Sequence, residues 1–178
     1  MKKLIIMAAM LFTLAGAVFA NGLENKNAIG VYLLGAESAV GGIQYERRFT
    51  DLISTKFGVY AMYDSYSTYQ PFHCNFSVET DFKLYETNWR DKVASRLFAY
   101  ALAGYMADSE YSYDYSVENP ESTKKLKKSN DAVASLGFGF DFIFFEHLSV
   151  PIQFGFMGTF PDDPQVGFCG GIGLRYSW

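Results

Sequence analysis

Residues 134–145 read ASLGFGFDFIFF. In an extended chain Leu136, Phe138, Phe140 and Phe142 share one face, and Ser135, Gly137, Gly139 and Asp141 share the other. Alternation of this kind marks a strand, because successive side chains leave opposite sides of the backbone. Residues 150–159 repeat it, with Val150, Ile152, Phe154 and Phe156 opposing Pro151, Gln153, Gly155 and Met157. So do residues 165–178, where Phe168, Ile172, Leu174, Tyr176 and Trp178 oppose Cys169, Gly171, Gly173, Arg175 and Ser177. In each segment one face is large and apolar and the other is small, polar or charged.

Working outward, the pattern predicts eight strands, at about 28–36, 39–49, 53–64, 72–86, 95–107, 131–145, 148–160 and 165–178. The segment SRLFAYALAGYMA (95–107) alternates poorly, since both its faces are apolar. The connections FTDL (49–52), NWRD (88–91) and EHLS (146–149) are short and polar. They alternate with SYSTYQP (65–71), the long 108–130 segment and PDDPQ (161–165), while the linker near Glu37 and Ser38 is unusually short. Short turns at one end and longer loops at the other are the arrangement of a transmembrane barrel.

The 178 residues suit one domain. A formal net charge of −4 argues against nucleic acid, which needs a basic surface to neutralise phosphate. Aromatic residues make up 18% of the chain and charged residues 19%, an aromatic-rich and charge-poor balance. Lys2 and Lys3 precede the uncharged LIIMAAMLFTLAGAVFA (4–20), with Val18 and Ala20 at the specificity positions of a signal-peptidase site. This predicts a cleavable signal peptide over 1–20 and a barrel domain over 21–178. A membrane anchor is the alternative, disfavoured by the short apolar run.

Barrel size decides which face points outward. An eight-stranded cylinder has an interior just wide enough for side chains. Rows of Phe are favourable in lipid and an exposed liability in water. The apolar faces should therefore meet lipid, which places Glu46, Arg48, Lys56, Glu79, Asp81, Lys83, Asp141 and Arg175 in the lumen. Their signs nearly balance, so they should form a polar network that fills it, rather than an ion or proton path.

In combination, YERRFTDLISTKFGVYAMY (45–63), LGFGFDFIFFEHLSVPIQFGF (136–156) and GIGLRYSW (171–178) resemble the small eight-stranded outer-membrane barrels of diderm bacteria, of OmpX, OmpW and OmpA-barrel type. The resemblance implies an all-β, antiparallel up-and-down transmembrane β-barrel in the outer membrane, preceded by a signal peptide. Gly173, Tyr176 and Trp178 match the family's C-terminal insertion signal. Periplasmic chaperones and the barrel-assembly machinery would then be biogenesis partners, and outer-membrane lipid with lipopolysaccharide-type glycolipid the surroundings. No peptidoglycan-binding half is expected beyond Trp178, and a monomer is expected.

Catalysis finds little support. Lipid A deacylases of this size class carry a His-x-Ser pair, and His147 and Ser149 have that spacing. They fall on a short-turn end, away from outer-leaflet substrate, so a polar turn is the better reading. His73 has Ser77 as its one nearby Ser, a weaker candidate still. Two His and two Cys without close spacing make no zinc site, and no cofactor is expected. Cys74 is in phase with Phe72 and Phe76, whereas Cys169 is in phase with Gly171 and Arg175, so the two should not form a disulfide.

The outer segments are the remaining functional candidate. Tyr111, Tyr113 and Tyr115 alternate with Ser112, Asp114 and Ser116, a pattern that can extend the fifth strand beyond the membrane and offer external contacts. Lys124, Lys125, Lys127 and Lys128 read as a solvated charge run. The expected role is structural and surface-exposed, with adhesion or host contact through external loops and no catalysis. The alternatives are a narrow OmpW-like channel for small apolar molecules and, behind it, a lipid A hydrolase.

Overall fold

The computed structural model describes residues 25–35, 39–63, 71–89, 93–116, 119–162 and 164–178, with side chains for all of these except Trp89 and 112–124. The expected signal peptide, the linker near Glu37 and Ser38 and most of the 65–71 linker lie outside the described residues.

Eight strands close in chain order into one antiparallel barrel: β1 (Asn27–Gly35), β2 (Ala39–Arg48), β3 (Ile53–Tyr63), β4 (Phe72–Trp89), β5 (Val93–Ser116), β6 (Asn119–Phe144), β7 (Leu148–Pro161) and β8 (Gln165–Ser177). β8 returns to β1 in a ladder from Ala28↔Ser177 to Gly35↔Gly170. Closure pairs the wall's backbone groups, which lipid requires. The rows of Phe on β6, β7 and β8 point outward: Phe168 is 62% exposed, whereas Arg175 on the opposite face of β8 is 1% exposed. The fold is the expected all-β up-and-down barrel with an apolar exterior.

Two expectations change. The first is the segment at 108–130, expected to be largely loop. β5 runs on to Ser116 and β6 begins at Asn119, so the described residues of this stretch are strand, paired with each other apart from an irregularity between Asp114 and Ser116. Glu110 stands opposite Lys127 and Asp114 opposite Thr123. The described lysines of the run are exposed, as expected of a solvated charge run, and Lys127 gains Glu110 across the ladder, where opposite charges favour pairing. β4 likewise continues to Trp89, past its expected end at 86, with an irregularity between Lys83 and Tyr85.

The second is β5, whose orientation the sequence left open. Phe98, Tyr100, Leu102 and Met106 turn inward and are buried, while Ala99, Ala101 and Ala103 line the outside. Large rings do enter this narrow lumen, because glycines stand where they arrive. A Cβ on Gly139 would lie 2.4 Å from Phe98 Cζ, and one on Gly58 would lie 2.3 Å from Tyr32 Oη. Glycine's missing side chain is the space the ring occupies.

Candidate functional site: a cross-linked lumen beneath an outer vestibule

The β2–β3–β4 register places Glu46, Lys56 and Glu79 side by side on the inner wall. Lys56 Nζ donates to Glu79 Oε1 at 2.6 Å and lies 2.5 Å from Asp81 Oδ2. The same ammonium sits 4.8 Å from the centre of the Phe98 ring, within cation–π range. From β7, Gln153 Nε2 donates to Glu79 Oε1 at 2.6 Å.

Arg175 on β8 is the second hub. Its Nη2 donates to Asp141 Oδ2 on β6 at 2.8 Å, and its Nη1 lies 2.6 Å from Glu46 Oε2 on β2. Its Nε donates to Ser149 Oγ at 3.3 Å, and Arg48 Nε donates to Glu46 Oε1 at 3.2 Å. Glu46, Lys56, Glu79 and Arg175 are each 1% exposed. An unpaired charge at such depth is very costly, so each is held by an opposite one. The contacts cross the lumen and tie together β2, β3, β4, β6, β7 and β8. Lys83 sits lower, donating to Glu86 Oε2 at 2.8 Å beside a cavity of about 200 Å³.

On the other side of the network the lumen opens into a vestibule of about 760 Å³. A hydrogen bond between Tyr32 Oη and Ser77 Oγ separates the two. The registers lay two rows across the vestibule wall: Tyr60, Asn75, Met106 and Asp131, then Met62, His73, Asp108 and Ser129 nearer the mouth. His73 Nδ1 is hydrogen-bonded to Asp108 Oδ1, and Asn75 Nδ2 lies 3.3 Å from His73 Nε2. That pairing corresponds to a ring that donates from Nδ1 and accepts at Nε2. The Tyr60 ring lies 5.6 Å from the His73 ring, tilted by 54°. Sequence reading singled out His73 alone among these residues, since strand register decides which of them meet.

The His147 and Ser149 pair is not assembled. His147 Nδ1 donates to the Ser177 carbonyl at 2.9 Å, its ring stacks on Tyr176, and Ser149 is turned into the lumen against Arg175. Cys169 is buried beside Tyr100 Oη at 3.7 Å and Ser135 Oγ at 3.6 Å, Cys74 is half-buried, and both are free thiols. Tyr176 and Trp178 point outward at the strand end, Gly173 points inward, and Trp178 N donates to Asn27 O at 2.9 Å. Tyr111 lies half-buried on β5; Tyr113 and Tyr115 lie on the same strand, their side chains outside the description.

Neither a protein-family model nor a curated protein matches the chain. Solved structures do. The N-terminal β-barrel domain of Pseudomonas aeruginosa OprF is 13% identical, with a TM-score of 0.54 over 87% of this chain and 98% of that one. Outer membrane protein H (OprH) of the same organism is 11% identical, with a TM-score of 0.51 over 86% of this chain and 99% of that one. At such identities the likeness is one of fold, and the fold is that of the small eight-stranded outer-membrane barrels.

Proposed function

We propose that this chain is an integral outer-membrane protein whose barrel is a sealed anchor and whose working surface is the ribbon beyond the wall. The observation that carries this reading is the pairing of that ribbon. β4 accompanies β5 as far as Ser109, and β7 accompanies β6 from Asp131 inward. Beyond these points, among the described residues, Glu110 to Asp114 pair with Lys127 to Thr123 and Ser116 with Asn119, leaving two outer edges. Such edges accept a partner strand, and Tyr-rich faces add adaptable contacts, which suits adhesion or host contact. Tyr111, Tyr113 and Tyr115 are the contact residues assigned to it.

The cross-linked lumen favours the anchor over a channel for small apolar molecules. Below the vestibule, the inward rings of β5 fill the lumen, Phe98 against Lys56 and Gly139 and Tyr100 against Gly155, instead of lining a free passage. In this reading residues 1–20 are a signal peptide removed on export, and 21–178 form the mature barrel. Gly173, Tyr176 and Trp178 are read by the barrel-assembly machinery, with periplasmic chaperones escorting the unfolded chain. The folded monomer sits among outer-membrane lipid and lipopolysaccharide-type glycolipid.

The experiment is replacement of residues 111–126 by a two-residue turn. The shortened barrel should keep its heat-modifiable gel mobility, while cells displaying it should lose attachment to host cells or matrix-coated surfaces. Undiminished attachment by a correctly folded shortened barrel would sink the assignment.

A further inference from the structure

We propose that the outer vestibule is a carbohydrate-binding site, taking a neutral hexose ring on the face of Tyr60, its hydroxyls hydrogen-bonded to the Asn75 amide and donating to the Asp108 and Asp131 carboxylates. The site is distinct from the ribbon and stands or falls separately from it. Three observations converge. First, the volume of about 760 Å³ lies within the roughly 300–1,000 Å³ typical of small-molecule pockets.

Second, the vestibule exposes an aromatic face that the lumen below does not. Tyr32 and Tyr100 are packed to 6% and 3% exposure, whereas Tyr60, on the inward phase of β3, is 36% exposed. Its hydroxyl donates to Met62 Sδ at 3.3 Å and its ring leans on His73, so the ring is held from two sides. Third, planar polar groups adjoin that face in register. Asn75 is next to Tyr60 across the β3–β4 ladder, and Asp131 follows in the same row beyond Met106.

A sugar ring has C–H bonds on one face, which suit an aromatic surface, and hydroxyls at its edge, which suit amides and carboxylates. Other ligand classes fit less well. An organic cation would meet acids whose charge is already answered or shared, Asp108 by His73, Glu110 by Lys127 opposite it and Asp131 by Ser129 Oγ at 2.6 Å and Asp162 N at 2.7 Å, whereas each carboxylate keeps acceptor lone pairs for a hydroxyl. An acyl chain would meet His73, Asn75, Asp108 and Asp131 interleaved with Met62 and Met106, and would strip water from those polar groups without replacing it.

The test is isothermal titration of the full-length barrel, refolded in the sugar-free detergent lauryldimethylamine oxide, with glucose, galactose and N-acetylglucosamine, and with choline chloride as the cationic comparison. The expected result is saturable binding of at least one sugar at millimolar concentration, at least ten-fold weaker in Tyr60→Ala and in Asn75→Ala. It should be unchanged in the outward-facing Val59→Ala. Heat-modifiable mobility checks that each variant is folded, and Asp108→Asn provides a further variant should Tyr60→Ala not fold. No saturable sugar binding, binding confined to choline, or sugar binding indifferent to the vestibule substitutions overturns the proposal.

Discussion

At the residue scale, the interior is governed by two cations. Lys56 answers Glu79 and Asp81, and Arg175 answers Glu46 and Asp141. Buried ion pairs add little net stability compared with an apolar filling, yet removing one partner strands the other. Arg175→Met leaves two buried carboxylates without their guanidinium and should cost about 3–5 kcal/mol. The loss reads out as a lower urea midpoint for the folded gel band. Adding Glu46→Gln and Asp141→Asn should recover part of it, because the stranded charges are then gone. That these side chains share the lumen was legible from strand phase. Their pairing was not, because Arg175 reaches strands that are not its neighbours.

At the element scale, β5 and β8 show opposite degrees of legibility. From Phe168 to Ser177, β8 sets apolar residues on one face and small or polar ones on the other, Gly170 being the one break on the apolar face, so its two faces follow from the sequence. β5 carries apolar residues on both faces, and its orientation depends on glycines of other strands. Gly139→Val would drive a branched side chain into Phe98 and should cost about 1–3 kcal/mol through overpacking. The double variant Gly139→Val with Phe98→Ala should lose less than the sum of the two single changes, and unfolding titrations of all three check it. On β8, Ile172→Arg places a charge in mid-strand on the lipid face, where about 2–4 kcal/mol is lost, against about 0–1 kcal/mol near the rim. Val166→Arg, at the strand end, should therefore be nearly silent in the same measurement in phospholipid vesicles.

At the scale of the whole molecule, the barrel has three zones along its axis: a small lower cavity, a cross-linked middle and a wide vestibule. Transport through it has to break the middle zone. Wild-type protein in planar bilayers should show no stable large conductance. Lys56→Ala combined with Arg175→Ala should raise the frequency of openings, because both ties across the lumen are removed. Large, steady wild-type channels would contradict the sealed-anchor reading. The ribbon belongs to this scale too. Its strands continue past their outer neighbours, so shortening it should leave the unfolding midpoint nearly unchanged.

The repeat of large and small residues in ASLGFGFDFIFF and its relatives carried the strand number, the lipid-facing side and the polar content of the lumen. Those properties depend on a period of two, which is written locally along each strand. Pairing partners, the inward turn of Phe98 and Tyr100, and the meeting of Tyr60, Asn75, His73 and Asp108 depend on register between strands. The length of the β5–β6 ribbon does too, since Lys124 to Lys128 read as loop until an opposite strand with Glu110 is set beside them. Register is a property of the closed barrel, and the tertiary structure was needed to settle it.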